Sequence, residues 1–277
     1  MTYKRILTIQ DISCLGQCSL TVALPILSAC GQEACIMPSA VLSTHTGGFR
    51  NFTFCDLTEE MPKIAAHWIN EGIRFDCIYT GYLGSKKQID YVIDIFRSLL
   101  APGGKIVVDP AMADNGRLYT GFDDAFALEM ARLCPYADVI LPNWTEACFL
   151  TGRSYREDYT PEEVTGMMDA LQGLGAKSVV ITGIGYDPAQ TGVAVRSEAG
   201  DSYYAHHRFE SGFHGTGDVY SAAFVGAWTS GKGLEESARI AADYTLSCIA
   251  LTKDDPNHWY GVKFEAMLPK LIEELQK

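Results

Sequence analysis

Short apolar segments of strand-like composition alternate with segments of helical length along most of this chain, and this alternation limits the folds open to it. We predict strands at residues 4–10, 34–40, 75–80, 105–108, 138–141 and 178–182, and helices at 19–30, 58–71, 85–100, 123–133 and 161–174. Helices of this length between consecutive strands imply right-handed crossovers. The sequence therefore predicts an α/β fold with a mostly parallel sheet.

The last third of the chain departs from this alternation. Residues 192–196 and 202–208 predict a hairpin, because the segment between them is too short for a crossover helix. Three helices are predicted after the hairpin, at 216–230, 234–251 and 264–275. We therefore expect the sheet to end in antiparallel strands.

Composition narrows the class of protein further. The 277 residues are 47% hydrophobic and contain no linker, charge block or repeat, which predicts a single domain spanning residues 1–277. A net charge of −12 argues against binding to nucleic acid or to an anionic membrane. The apolar runs are far shorter than the ~20 residues of a membrane helix. Nine cysteines without a C-x-x-C pair suggest neither a disulfide framework nor a zinc site. We expect a soluble, cytoplasmic protein.

Polar residues follow five of the predicted strands at the point where each strand ends. They are Asp11, Thr80-Gly81-Tyr82, Asp109-Pro110, Pro142-Asn143 and Thr182-Gly183. Ligands of open α/β sheets bind beyond the carboxyl ends of the strands. These residues therefore predict a shared cleft. Residues 41–56 form a polar loop of a length that is often functional, and it contains Ser43-Thr44-His45-Thr46-Gly47-Gly48.

A glycine-rich turn, Gly212 to Asp218, runs directly into a predicted helix. Glycines before a helix can leave several amide N–H groups free at its N-terminus, where the dipole favours an anion such as phosphate. Asp218 in the first turn is a candidate general base, for which we expect an ordinary carboxyl pKa near ~4. The alternative is a tight turn whose acidic residue merely suits the helix dipole.

A second group of acidic residues consists of Asp109, Asp114 and Glu146. Carboxylates that converge on one cleft can hold Mg²⁺. Two alternatives are purely structural. Asp109-Pro110 is a common turn opener, and the segment from Asn143 to Glu146 fits a helix capping box. A cap would also orient the Glu146 carboxylate, so the two interpretations are compatible.

Five motifs together resemble the pyridoxal and pyridoxamine kinases of the ribokinase-like superfamily. They are Ser-Thr-His-Thr-Gly (43–47), Thr-Gly-Tyr-Leu-Gly-Ser (80–85), Val-Asp-Pro (108–110), Pro-Asn-Trp-Thr-Glu (142–146) and Gly-Thr-Gly-Asp (215–218). The resemblance implies a three-layer sandwich with helices on both faces of the sheet, often in a homodimer. It also implies ATP-dependent phosphorylation of the 5′-hydroxymethyl group of a vitamin B6 vitamer with Mg²⁺, and K⁺ as a candidate monovalent cation.

The same resemblance assigns roles to individual positions. It implies Asp218 as the base, with Gly215, Thr216 and Gly217 as the amide cradle for the transferred phosphate. It places Asn143 and Glu146 in the magnesium and phosphate network, Asp109 and Asp114 near the cations and triphosphate, and Thr182 and Gly183 beside the nucleotide. His45, Thr46 and Tyr82 would line the pyridine pocket.

Position 11 departs from the pattern of these kinases, which usually have Ser after Ile-Gln where this chain has Asp11. An anion near the ring would favour the cationic amine of pyridoxamine over the aldehyde of pyridoxal. Asp11 is therefore a candidate substrate-binding residue that sets vitamer preference.

Sequence motifs leave some other functions open and argue against others. His214 before the turn resembles the hydroxymethylpyrimidine kinases, whose turn reads His-Gly-Thr-Gly-Cys, so that pyrimidine alcohol is the alternative substrate. A non-catalytic vitamin-binding protein would keep the pocket without the chemistry. A dinucleotide-dependent oxidoreductase is disfavoured, because residues 13–19 lack G-x-G-x-x-G. Residues 226–233 nearly match a P-loop, but position 233 is Gly where Ser or Thr should bind Mg²⁺.

Overall fold

The computed structural model describes residues 3–209 and 212–277. Its strands are β1 (Arg5–Ser13), β2 (Glu33–Leu42), β3 (Phe54–Asp56), β4 (Phe75–Thr80), β5 (Leu100–Val108), β6 (Ala113–Asp114), β7 (Arg117–Leu118), β8 (Val139–Ile140), β9 (Ser178–Ile184), β10 (Gln190–Ser197) and β11 (Gly200–His207). Its helices are α1 (Leu20–Ala29), α2 (Met61–Asn70), α3 (Lys86–Leu99), α4 (Asp124–Met130), α5 (Trp144–Thr151), α6 (Pro161–Gly173), α7 (Thr216–Thr229), α8 (Leu234–Thr252) and α9 (Leu268–Gln276). Short 3-10 helices lie at Ala131–Tyr136 and Glu265–Met267.

Within the described residues, nine strands form one sheet in the order β11-β10-β9-β8-β5-β4-β1-β2-β3. The six strands from β9 to β2 are parallel, and antiparallel strands complete both edges. Strands β6 and β7 form a separate small hairpin. The predicted mostly parallel α/β sheet with an antiparallel edge is confirmed.

Two apolar layers cover the faces of the sheet, because buried side chains alternate along the central strands. In β4, Ile78 packs in the layer that contains helices α2 to α6, whereas Cys77 and Tyr79 pack in the layer of α1, α7, α8 and α9. Strand β9 alternates in the same way, with Val180 on the second face. The result is the expected three-layer sandwich.

Several local predictions were wrong in detail. β1 continues to Ser13, so Asp11 lies within the strand rather than after it. The polar loop predicted at 41–56 is shorter, because β2 extends to Leu42 and residues 54–56 pair with it as β3. The β6–β7 hairpin was not predicted, since two-residue strands have no periodicity to detect. No helix in the described part of the chain is long and apolar enough to cross a membrane.

Candidate active site

The carboxyl ends of five neighbouring parallel strands form one edge of the sheet, as predicted. The amide of Gly81 donates to the carbonyl of Ile9 at 3.2 Å, and the amide of Asp109 donates to the carbonyl of Thr80 at 3.0 Å. Further along, the amide of Thr182 donates to the carbonyl of Pro142 at 3.0 Å. These backbone bonds bring the polar residues that follow the strands to the same level.

Helix α7 begins above this edge, with Gly215 as its N-cap and Asp218 in its first turn. Gly215 has φ 75°, and a Cβ there would lie 1.7 Å from the carbonyl oxygen of Gln17. Glycine is therefore required both by the left-handed backbone and by the close approach of the loop before α1. Apart from α7 itself, no atom of the described residues lies within 4 Å of a Cβ built on Gly217, so this side of the helix turn is open.

Asp218 is a partly accessible carboxyl at the centre of this edge. Its pKa is raised to about 7, mainly by loss of bulk solvation and also by the negative charge of Asp11, although the backbone amide of Ser19 lowers it. The expectation of an ordinary pKa near ~4 is therefore wrong. The sequence pattern located the helix start but could not report the burial of this side chain among other acids.

Asp109 is buried beneath Asp218 and accepts a hydrogen bond of 2.6 Å from the hydroxyl of Ser221, one turn further along α7. Glu146 is buried beside it, and its carboxylate accepts from the amides of Met112 at 3.1 Å and Asn143 at 2.9 Å. Burial raises the pKa of both carboxyls, and each is raised further by a neighbouring acid. The edge therefore concentrates acidic groups that oppose one another's ionisation.

The capping-box interpretation of Asn143 and Glu146 is confirmed in the fold. The Asn143 side chain accepts from the amide of Glu146 at 2.9 Å, and Glu146 reaches back to the amide of Asn143, which completes a capping box at the start of α5. The Asn143 amide group also donates to the carbonyl of Ala113 at 2.8 Å. The box thus fixes Glu146 against the segment that carries Asp109 and leads into the β6–β7 hairpin.

The chemistry of this donor set fits a cation. Among the described residues, Asp11, Asp109, Asp114, Glu146 and Asp218 form no ion pair with a basic side chain. Buried acids that raise one another's pKa are stabilised when a divalent ion neutralises them. No group of three or more His, Cys, Asp or Glu side chains in this part of the chain is arranged to enclose a metal, so an ion here would keep several water ligands.

Asp11 lies on the other side of Asp218 and is buried. Its two carboxylate oxygens accept hydrogen bonds from different serines, Ser19 at 2.5 Å and Ser13 at 3.0 Å. Burial raises its pKa, and the two hydroxyls partly oppose that rise. The negative charge of Asp11 reaches both His45 and Tyr82.

Two of the three residues predicted for the pyridine pocket, His45 and Tyr82, lie near this acid. His45 is buried, with Nε2 2.8 Å from the carbonyl oxygen of Tyr260, and its Nδ1 accepts from the amide of Gly47 at 3.1 Å. This pairing requires the neutral tautomer with a proton on Nε2, and burial lowers the pKa of the ring. Tyr82 is half-buried and stacks on Phe122 at 5.5 Å between ring centroids, while Thr46 is exposed.

The residues predicted for the nucleotide lie at the β8–β9 end of the same edge. Asn143 and Thr182 form a parallel bridge, and Gly183 beside them is exposed. Asp114 is exposed on the β6–β7 hairpin, where it accepts from the amide of Asn115 at 2.9 Å. The positive charge of His214 lowers the pKa of Asp114 and so opposes the rise caused by burial, which places the hairpin near the glycine turn.

Two features of the site were missed from the sequence. Tyr119 is 40% exposed, yet its hydroxyl faces the cleft, where loss of solvation and the nearby charges of Glu146, Asp114, Asp218 and Asp109 raise its pKa. The segment from His258 to Tyr260 forms a wall over His45, with Trp259 packed on Phe49 at 4.6 Å. Neither has a local sequence signal, because both depend on contacts between distant segments.

Known proteins are similar to this chain in architecture and in sequence. A family model described as phosphomethylpyrimidine kinase matches residues 24–262. Pyridoxal kinase from Bos taurus is 28% identical over 268 residues, which cover 88% of this chain and 83% of the bovine protein. A Bacteroides thetaiotaomicron protein described as a phosphomethylpyrimidine kinase, solved in a crystal form with pyridoxal, is 37% identical with a TM-score of 0.92. The match covers 98% of this chain and 96% of the Bacteroides thetaiotaomicron protein.

Pyridoxal kinase from Lactobacillus plantarum gives a TM-score of 0.90 at 31% identity, with 98% of each chain covered. The resemblance to pyridoxal kinases and the ribokinase-like fold predicted from the motifs are confirmed by these similarities. The match over residues 24–262 takes in α7 and the whole parallel part of the sheet except β1. This chain therefore belongs to the phosphomethylpyrimidine kinase family.

Proposed function

We propose that this protein is an ATP-dependent kinase that phosphorylates the 5′-hydroxymethyl group of a vitamin B6 vitamer, namely pyridoxamine, pyridoxal or pyridoxine. The observation that carries the proposal is the Asp218 carboxyl in the first turn of α7, beside the open Gly217 and above buried acids. The names of the similar Bos taurus and Lactobacillus plantarum enzymes support the substrate class.

Asp218 acts as the general base in this mechanism. Phosphoryl transfer passes through a loose transition state, so the protein mainly aligns the alcohol and neutralises oxygens. Asp218 accepts the proton of the alcohol as the new O–P bond forms. The amides of Gly215, Thr216 and Gly217 at the helix N-terminus stabilise the transferred phosphate, with ADP as the leaving group.

Magnesium is part of the proposal, because ATP is an anion and this edge of the protein is acidic. Asp109 and Glu146 would hold Mg²⁺ through its water shell, with Asp114 on the exposed side. When bound, the ion neutralises charge on the triphosphate. K⁺ remains a candidate second cation.

Two binding regions flank Asp218. Asn143, Thr182, Gly183 and Asp114 form the proposed ATP side at the ends of β8 and β9 and on the hairpin. On the opposite side, His45, Thr46, Tyr82 and Asp11 form the proposed pocket for the pyridine ring, closed by Trp259 and its neighbours.

Vitamer preference follows from the charge of Asp11. We expect pyridoxamine to be preferred over pyridoxal, because a buried anion stabilises the cationic amine. Comparing kcat/KM for the two vitamers in wild type and Asp11→Ser tests this expectation. An unchanged ratio would show that Asp11 does not discriminate between them.

Assembly and location complete the proposal. We propose a homodimer of single-domain subunits spanning residues 1–277, located in the cytoplasm. The single nine-stranded sheet fits one domain, and free cysteines at all nine positions fit a reducing compartment.

Hydroxymethylpyrimidine is the second candidate substrate. The description of the matching family and the His214-Gly215-Thr216-Gly217 turn favour it. A panel of pyridoxamine, pyridoxal, pyridoxine and hydroxymethylpyrimidine with ATP and Mg²⁺, read by ADP release and product mass, separates the two. Phosphorylation of the pyrimidine alone would reject the B6 assignment. Vitamin binding without ADP release from any alcohol would identify a non-catalytic binding protein.

A further inference from the structure

Ser19, the residue before α1, has a backbone conformation that side chains seldom adopt. Its φ is 55° and its ψ is −132°, a combination in which glycine is the usual residue. Ser19 is also buried, so the strain is not relieved by solvent. A residue retained in such a conformation must be held there by its surroundings.

The hydroxyl of Ser19 supplies part of that hold, beside an antiparallel backbone bridge between Ser19 and Ile12. It donates to Oδ1 of Asp11 at 2.5 Å, a charge-assisted hydrogen bond inside the protein. Asp11 is itself fixed from the other side by the hydroxyl of Ser13 at 3.0 Å. Alanine at position 19 would keep the strain and lose this bond, whereas glycine would lose both.

The backbone of Ser19 faces the opposite way, toward α7. Its amide lies close enough to the Asp218 carboxyl to lower the pKa of that group. The same loop lies directly against the helix start, because a Cβ on Gly215 would meet the Gln17 carbonyl oxygen at 1.7 Å and the Cys18 sulfur at 3.2 Å. Ser19 therefore connects two acids, through its hydroxyl to Asp11 and through its amide to Asp218.

We propose that Asp11 and Ser19 are a positioning pair: Asp11 holds the strained backbone of Ser19, and the Ser19 amide thereby fixes the direction of the Asp218 carboxylate. In this role Asp11 acts through Ser19, and the role is additional to its proposed effect on the amine of the substrate. A misplacement of about 1 Å at a reacting group can cost about 100-fold in rate, so a fixed donor at the base has a kinetic consequence.

The kinetic test rests on the proposed function and uses the vitamer that wild type phosphorylates best. Asp11→Ala and Ser19→Ala should each lower kcat about 10- to 100-fold, with KM for ATP changed less than about twofold. Ser19→Gly should retain more activity than Ser19→Ala, because glycine adopts φ 55° without strain. In the Ser19→Gly background, Asp11→Ala should cost much less than it does in wild type.

The control is Asn51→Gly, an exposed position with the same φ of 55°. It should leave kcat at the wild-type level. If Asp11→Ala lowers kcat by the same factor with serine or glycine at position 19, Asp11 does not act through Ser19 and the pair is rejected. A change confined to KM for the vitamer would reject it equally, in favour of direct substrate contact.

A substrate-free readout separates this inference from the proposed function. The Ser19 amide proton, observed by ¹H–¹⁵N NMR, should resonate downfield in wild type and move upfield in both Asp218→Ala and Asp11→Ala. Movement in Asp218→Ala alone overturns the pair even if the kinase proposal stands. If no alcohol in the panel is phosphorylated, the kinase proposal fails, and the amide shifts still decide whether the pair exists.

Discussion

Asp218 is held near the midpoint of its titration at neutral pH. Its raised pKa of about 7 results first from lost solvation and then from the negative charge of Asp11 on β1, whereas the backbone amide of Ser19 lowers it. The charge of Asp218 in turn raises the pKa of Asp109 after β5. A general base works best when its pKa lies near the operating pH, since it is then both ionised and basic. Burial therefore gives this carboxylate more basicity than an exposed Asp has.

Replacing this carboxyl tests its role directly. Asp218→Asn should lower kcat about 10²- to 10⁴-fold, because the amide cannot accept the alcohol proton. The thermal midpoint should not fall, because the substitution removes a buried acid from the cluster. Steady-state ADP release and a melting curve measure the two effects. Wild-type turnover in a folded variant would exclude Asp218 as the base.

Residue roles were predictable only where a motif carries them. The Gly215–Asp218 turn and the Asn143–Glu146 box are local patterns, and the structure contains both. Tyr119 and Ser19 were not predictable, because their importance comes from burial and strain set by segments far away in sequence. The predicted pKa of Asp218 was wrong for the same reason.

The start of α7 depends on one glycine. Gly215→Ala should destabilise the fold by at least about 2 kcal/mol, since it adds a strained left-handed conformation to a collision with the Gln17 carbonyl. The matched control is Gly231→Ala after the other end of α7, which has φ 105° and no neighbour within 4 Å of its Cβ. Chemical unfolding should show a smaller loss for the control, and equal losses would contradict the close contact.

The two capping boxes separate helix stability from function. Asn143→Ala at α5 and Thr160→Ala at α6 each remove an N-cap, so each should cost about 0.5–2 kcal/mol of unfolding free energy. Only Asn143→Ala should also lower kcat/KM for ATP, because it frees Glu146 and the carbonyl of Ala113. Equal kinetic losses in both variants would mean that the cap acts through stability alone.

Element predictions succeeded where the segment was long and buried. The predicted strand at residues 75–80 matches β4, and the predicted helix at 161–174 matches α6 within one residue. Strand β3 was missed because all three of its residues are exposed, so no apolar pattern marks it. Its existence depends on pairing with β2, which is a tertiary event.

The acidic cleft couples the stability of the whole molecule to pH. Folding raises the pKa of Asp109 and Glu146 above their ordinary values of 3.8 and 4.5, so the folded chain binds protons more tightly than the unfolded chain. The stability they contribute is fully present below those ordinary values. This contribution to stability is lost as the pH rises from the ordinary pKa values toward the raised pKa values of the folded state.

Without divalent ions, the midpoint temperature of thermal unfolding should therefore decrease as the pH is raised from about 5 to about 8. Mg²⁺ at about 100 times its dissociation constant should raise the free energy of unfolding by about 2.7 kcal/mol. A given Mg²⁺ concentration should stabilise the protein more at pH 8 than at pH 5, because protons compete with the ion for the carboxylates at low pH. Asp109→Asn should raise the metal-free midpoint at pH 8 and reduce the Mg²⁺ effect. Glu198→Gln, in the exposed β10–β11 turn, should change neither. If Mg²⁺ raises the thermal midpoint equally in wild type and Asp109→Asn, the ion does not bind at Asp109.

The contact between Gln17 and Gly215 joins segments roughly 200 residues apart in a chain that is made from one end. At roughly 5–20 residues per second, a ribosome needs roughly 10–40 s to bring the second segment after the first. During that interval the loop before α1 has no helix start to contact, and the proposed pair of Asp11 and Ser19 has no Asp218 carboxyl to orient. The start of α7 can therefore be completed only after the segment around Gly215 has been made, long after β1 and the loop before α1.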